Sequence, residues 1–300
     1  MSGVPIIDAH QHFWDLDRNY HPWLCDEPPI LFRYGDYRAI RRSYLPLDFR
    51  GDSRGFEVVG TVHVETEWDP ADPIGETRWL QGVIEEHGLP SAIVAQAWLD
   101  RDDVAEVLAV QAAFPRVRGI RHKPRAAARP GDVDPGAPGS MGDPRWREGY
   151  ALLEQNGLSF DLQTPWWQLR EAAELARDFP GVQMILNHTG LPADRSDEGL
   201  DGWREAMAVL SEQSNVAVKI SGLGVPGEAW TVAANRRIVL DTIDIFGVER
   251  CMFASNFPVD NLVADFETIY RGFMRIVEHY TASDQRGLFC DNARRIYRIS

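Results

Sequence analysis

Val4-Pro5-Ile6-Ile7-Asp8-Ala9-His10-Gln11-His12 is the stretch from which the rest of the chain is read. Its apolar start, Val4 to Ile7, has the character of a short buried strand. Side chains alternate along a strand, so His10 and His12 project to one side, with Asp8 one step deeper on that side. Two imidazoles on one face at a strand's end can share a divalent metal. Taken alone, such a pair is more often one satisfied core histidine beside a loop histidine, so the remaining chain decides. The position matters for the fold as well. A doubly wound nucleotide-binding sheet carries a glycine-rich phosphate turn after its first strand, and here that turn holds histidines.

Strand patterns recur at 56–65, 92–98, 117–121, 158–163, 182–188, 216–221 and 250–256. Helical spacing follows them at 76–86, 103–114, 144–156, 166–179, 200–213, 228–246 and 262–279, with a last helix at 282–297 and a mixed helical stretch at 37–49 after the first strand. Strands alternating with helices imply a parallel sheet. Eight such units in 300 residues, with no break in composition, predict a (β/α)8 TIM barrel forming one domain over residues 1–300. The open doubly wound sheet is the runner-up. In the second strand Val58, Gly60, Val62 and Val64 make an apolar face for covering helices, while Val59, Thr61, His63 and Glu65 become polar as their face opens into a site. Two long loops, 13–36 (aromatic, proline-rich and charged) and 123–143 (rich in Pro, Gly and Ala), are expected to carry substrate choice, although the composition of loop 123–143 is that of a disordered segment.

A formal net charge of −14 argues against nucleic acid or an anionic membrane as partner. No apolar run approaches the roughly 20 residues of a membrane helix, and the N-terminus lacks the pattern of a secretion signal. The three cysteines, Cys25, Cys251 and Cys290, are too far apart for a zinc ribbon or a disulfide framework and suit a reducing cytoplasm. The expected partner is a small-molecule substrate, and a homo-oligomer is compatible with the sequence.

Active sites of such barrels lie at the C-terminal ends of the strands. Those ends carry His10, His12, His63, Glu65, Gln96 or Trp98, Arg121, His122, Gln163, His188, Lys219, Ser221 and Asn256. His63 is as readily a buried residue bound to a backbone carbonyl, Glu65 could pair with Arg78 or Lys123, and Lys219 could reach out to the rim. Neutral imidazoles at His10, His12 and His188 would suffice for a catalytic divalent metal with an open water position. Such a metal polarises a carbonyl and lowers the pKa of bound water. Arg121, Lys123 and Lys219 could hold a carboxylate or a developing oxyanion.

Several motifs resemble the amidohydrolase 2 branch of the amidohydrolase superfamily. They are Ile7-Asp8-Ala9-His10-Gln11-His12-Phe13-Trp14-Asp15, Val62-His63-Val64-Glu65, Gly119-Ile120-Arg121-His122, Leu186-Asn187-His188-Thr189-Gly190-Leu191-Pro192, Lys219-Ile220-Ser221-Gly222-Leu223, Phe253-Ala254-Ser255-Asn256-Phe257-Pro258 and Asp291-Asn292-Ala293-Arg294-Arg295-Ile296-Tyr297-Arg298. They span nearly the whole chain in order. The resemblance implies a TIM-barrel hydrolase that opens lactones, nearest to sugar-acid lactonases of the fuconolactonase and rhamnonolactonase kind and to lactonases of pyrone or muconolactone carboxylates. It implies metal ligation by His10, His12 and His188, with zinc the first candidate. Gln163 stands where binuclear relatives have a bridging histidine, so a binuclear site is not expected. Metal-independent lactonases in the branch leave a metal-free reaction open.

The family's eighth-strand Gly-Ser-Asp-Trp-Pro motif reads Ala254-Ser255-Asn256-Phe257-Pro258 here, so Asn256 replaces the carboxylate that binds metal and acts as base. A neutral amide cannot take a proton from water. Asp260 could supply the carboxylate, Glu65 could act as base, or the protein could bind a small anion without turning it over. The reading reached from sequence is a cytoplasmic lactonase. His188, Glu65, Asn256 and Asp260 form its catalytic set, and His63, Arg121, His122, Gln163 and Lys219 hold the substrate. The alternative enzyme is a decarboxylase or hydratase of an aromatic acid on the same scaffold.

Overall fold

A computed structural model describes residues 3–300 of the chain. Among these residues eight parallel strands run round one sheet in chain order: β1 (Ile6–Gln11), β2 (Val58–Val64), β3 (Ala92–Gln96), β4 (Val117–Arg121), β5 (Ser159–Leu162), β6 (Met184–Leu186), β7 (Val216–Ile220) and β8 (Cys251–Phe253). After them come, in turn, helices α1 (Pro46–Asp52), α2 (Gly75–His87), α3 (Val104–Ala113), α4 (Pro144–Gln155), α5 (Leu169–Asp178), α6 (Asp197–Ser211), α7 (Val232–Phe246) and α8 (Phe266–Ile276). The sheet closes just beyond β8. There the Asn256 amide donates to the His10 carbonyl at 2.8 Å and the His12 amide to the Phe257 carbonyl at 2.7 Å. This is the (β/α)8 barrel.

Two apolar layers account for it. Ile93, Ile120, Phe160, Leu162, Leu186, Val218 and Ile220 belong to the large cluster shared with the helices. Ile7, Ala9, Val62, Val64, Ala92, Val94, Ile185, Ala217 and Met252 form a separate cluster inside the barrel, joined by Ala293 and Tyr297 from the chain's last turns. Burial of each large aliphatic side chain contributes roughly 1.5–3 kcal/mol. The interior layer corrects the expected orientation of β2. Val62 and Val64 point inward, and His63 points outward, where its ring meets Glu76 of α2 at 3.0 Å and accepts the Phe13 amide at 3.1 Å. Valines fill a tapering barrel better than a charged pair, and a helix can offer the imidazole a carboxylate.

Asp8 also departs from expectation. Asp8 lies opposite Thr61 and Gln11 opposite His63, so three steps along β1 match two along β2. That extra residue is a bulge, which breaks the simple alternation. Ala9 joins the interior cluster, His10 and His12 still face one another, and Asp8 is turned to Ser255. It accepts the Ser255 amide at 2.9 Å and hydroxyl at 2.5 Å. Burial raises its carboxyl to about 6, against the pull of these donors.

Other boundaries shift for local reasons. The stretch 37–49 divides into a 3-10 turn, Arg38–Ile40, and α1, whose first residue Pro46 has no amide to continue a preceding helix. The final helix is interrupted by a π-helical turn at Gly287–Asp291. Loop 123–143 is tied by Arg125 amide to Gly139 carbonyl at 2.8 Å and by the Ser140 hydroxyl to the Pro135 carbonyl at 2.6 Å. Strands β6 and β8 stop short, so His188 and Asn256 lie beyond them with φ of 54° and 57°. Such left-handed residues cost about 1–3 kcal/mol each and are retained where their surroundings dictate them.

Lys219 is wholly buried inside the barrel, 2.5 Å from Asp161, which also accepts from the Tyr297 hydroxyl and the Asn187 amide. Burial lowers the lysine to about 8 even with Asp161 beside it. Lys219→Met leaves that carboxylate without a counter-charge and should cost about 3–5 kcal/mol in urea unfolding, most of it recovered by Lys219→Met with Asp161→Leu. His122 accepts the Leu99 amide and the Trp146 indole N–H at Nδ1, both at 3.0 Å. Burial pushes it from 6.5 down to about 4. The unfolded chain therefore takes up a proton that the folded chain refuses. Its stabilising share is full above pH 6.5 and is lost as pH falls through about 4, with a ceiling of about 3 kcal/mol. The slope of stability against pH in that window should be shallower in His122→Gln than in the parent.

Candidate active site

A cavity of about 250 Å³ opens at the C-terminal end of the strands, with His12, His188, Asn256, Arg121 and Gln163 on its walls. Loop 13–36 adds Arg33 and an apolar side formed by Trp23, Ile30, Leu31 and Phe32. His10 lies underneath, its ring centroid 4.9 Å from that of His12 and 4.6 Å from that of His188. Burial pushes all three imidazoles well below their ordinary pKa, and the nearby cations Lys219, Arg121 and Arg33 push the same way. They are neutral at physiological pH.

The hydrogen bonds then assign lone pairs. His12 Nδ1 is 2.7 Å from the Val64 carbonyl and must donate to it, which leaves a lone pair on Nε2. That nitrogen lies 3.3 Å from Asn256 Oδ1. The Asn256 amide is held in this sense because its Nδ2 donates to Asp260 Oδ1 at 2.6 Å. Two acceptors therefore face each other across the cavity floor. Both ring nitrogens of His10 are buried without a partner, and His188 Nδ1 is engaged by the Ser221 hydroxyl at 2.9 Å. Orphaned imidazole nitrogens and opposed lone pairs suit an electrophile, so the donor chemistry fits one divalent ion. Among the described residues no three His, Cys, Asp or Glu side chains already converge on a preset cation position.

Arg121 is buried and locked. Its Nε donates to Glu65 Oε1 and its Nη2 to the Glu65 carbonyl, both at 2.5 Å, and its Nη1 donates to Gln163 Oε1 at 3.0 Å. This leaves the Gln163 amide N–H groups as donors. Glu65 is fully employed, since Oε2 accepts the Glu67 amide at 2.7 Å, and it does not line the cavity. Asp260 also stands behind the wall, accepting from Tyr34 at 3.0 Å and from Arg33 at 3.5 Å as well as from Asn256. Burial raises its pKa, with Arg33 opposing. Arg33, Arg121 and Lys123 outnumber Glu67 round the cavity, so a protein of net charge −14 presents a locally positive site.

The structure thus gathers His10, His12, His188, Asn256, Arg121 and Gln163 around one cavity. It places Glu65 and Asp260 directly behind that wall. Lys219 is deeper in the barrel, held by Asp161, while His63 faces Glu76 and His122 lies in a neighbouring compartment. Sequence reasoning missed Arg33, Tyr34 and Asp161. The cation-aromatic pair at Arg33-Tyr34 was the visible signal in the loop, and a lone Asp inside a strand was the signal for Asp161.

The chain has relatives along its whole length. It is 44% identical over 300 residues, covering all of both chains, to an uncharacterised protein, y4mH, of Sinorhizobium fredii. It is 27% identical to an L-fucono-1,5-lactonase of Burkholderia ambifaria, over 98% of this chain and 95% of that one. Among solved structures it superposes on an amidohydrolase of Burkholderia multivorans with bound zinc with a TM-score of 0.81, at 24% identity, covering 98% of this chain and 99% of the other. The amidohydrolase family model matches residues 7–299, and the chain belongs to that family.

Proposed function

We propose that the protein opens a small carboxylated or sugar-derived lactone by attack of water on the carbonyl. One observation carries this reading. Opposed lone pairs on His12 Nε2 and Asn256 Oδ1 share a cavity with the fixed donors of Arg121 and Gln163. The kinship with an L-fucono-1,5-lactonase supports the choice of a lactone.

The chemistry follows from the placement. A lactone carbonyl becomes a tetrahedral oxyanion when water adds, and donors fixed beforehand stabilise that charge without reorganising. Arg121 is such a donor, because Glu65 and Gln163 hold its fork in place. Arg33 and Lys123 hold a carboxylate or hydroxyl groups at the mouth. His12 Nε2 and Asn256 Oδ1 set their lone pairs side by side, 3.3 Å apart, and a water that donates to this pair turns its own lone pair towards the carbonyl. Asp260 keeps the Asn256 amide in the sense that this requires. The ring C–O bond breaks, and the departing oxygen takes up the proton that the water gives up. A divalent ion, zinc first among candidates, would take over those same lone pairs in place of the water's hydrogen bonds, held by His10, His12 and His188 with Asn256 Oδ1 as a neutral donor, and when bound would lower the pKa of the attacking water.

A pH-indicator assay over γ- and δ-aldonolactones and carboxylated lactones, with metal analysis of the same preparations, tests both halves. Acid release is expected together with about one bound ion per chain, and His12→Ala should lose both. No acid from any lactone would sink the activity, and full metal content in His12→Ala would sink the ligand set. Asn256→Asp sets a second carboxylate against Asp260, where like charges resist joint ionisation. Activity should fall about tenfold or more, and a rise instead would show that the amide does not position the water.

A further inference from the structure

We propose that a second compartment beside the main cavity binds a neutral, polyhydroxylated group, so that the preferred substrate is a lactone bearing a further sugar residue. The substrate assignment rests on the lactone reading above. The compartment holds about 300 Å³ and lies over the ends of β2, β3 and β4. It shares Glu67, Arg121 and Lys123 with the main cavity, and the ion pair of Glu67 with Lys123 stands between the two spaces.

Its walls have the chemistry that recognises sugars. Trp68 and Trp98 are half-buried there. Trp68 is braced by Trp79 with ring centroids 6.4 Å apart, and Trp98 carries the Arg101 guanidinium 5.4 Å from its ring centroid. An indole face has negative potential and packs well on the polarised C–H face of a sugar ring. Gln96 is 4% exposed, and while its Nε2 donates to the Trp68 carbonyl at 3.3 Å, its Oε1 is buried with no partner. An unsatisfied buried acceptor is costly, and a ligand hydroxyl would relieve it. His122 uses Nδ1 as a double acceptor, so its neutral ring carries the proton on Nε2 and offers it as a donor.

The charge pattern separates the two spaces. In the second, Glu65 and Glu67 balance Arg121 and Lys123. In the main cavity Arg33 tips the balance to positive. The lactone carbonyl and any acid group belong with the cations, and an uncharged hydroxyl-rich group belongs between the tryptophans. A flat apolar group would fit the indoles but leave Gln96 and His122 unsatisfied.

The test compares glucono-1,5-lactone with cellobiono-1,5-lactone, its 4-O-glucosyl derivative. The expected kcat/KM is at least tenfold higher for the glycosylated lactone. Trp98→Ala should bring the ratio near one, while Trp98→Phe, which keeps an aromatic face, should retain most of it. Equal kcat/KM for the two lactones, or an unchanged ratio in Trp98→Ala, overturns the proposal. Calorimetric titration with methyl β-cellobioside separates this proposal from the activity. Binding that is lost in Trp98→Ala, with no acid released from these two lactones or from any other lactone of the panel above, supports the compartment and refutes the lactonase reading. Lactone hydrolysis with no preference and no glycoside binding refutes the compartment alone.

Discussion

The seam between β1 and the residues after β8 is the constraint on which the site depends. Two backbone hydrogen bonds, from the Asn256 N–H to the His10 carbonyl and from the His12 N–H to the Phe257 carbonyl, close the barrel and set Asn256 beside the histidine pair in the same act. The bulge in β1 keeps His10 and His12 on the cavity side while freeing Asp8 to bind Ser255 across the seam. Closure of the fold and assembly of the cavity floor are therefore one structural event. A change that loosens the seam would disturb both.

Above and below that floor, buried charge is handled by pairing. Arg121 is 4% exposed and Lys219 fully buried, and each has a carboxylate at 2.5 Å. An ion removed from water without a partner costs several kcal/mol, so these pairs are conditions for holding positive charge near the imidazoles at all. Burial first, and this positive charge with it, keeps the imidazoles neutral, and neutrality is what leaves their lone pairs available. The two pairs differ in purpose. Arg121 reaches the cavity, whereas Lys219 ends on Asp161 and Tyr297 and acts at a distance through its field.

The alternation of strand and helix was legible because it depends only on local periodicity, and the barrel followed from its count. So were His10, His12, His188 and Asn256 as neighbours, since strand ends of a barrel converge. What was not legible depended on partners far along the chain. Glu65 could be read as a base or as a partner of Arg78 or Lys123, whereas its partner is Arg121, 56 positions away, and Lys219 could be read as a substrate ligand, whereas it is held by Asp161, 58 positions away. The side to which His63 points was hidden for another reason. An apolar face suits a barrel interior as well as a helix layer, and periodicity cannot tell them apart. Arg33 and Tyr34 lay in a loop whose path no periodicity describes.

The seam has a kinetic meaning as well. Asp8 and Ser255 are 247 positions apart, so the seam that completes the barrel joins the first of the eight strands to the residues just beyond the last. Contacts of such long range carry a larger loop-closure cost than pairs of strands adjacent in the chain. Strands β1 to β7 can pair in order as the chain emerges, but the ring cannot close until β8 arrives. A chain whose ring has not closed would hold its histidines apart from Asn256, and the floor that they share would exist only in molecules that have finished folding.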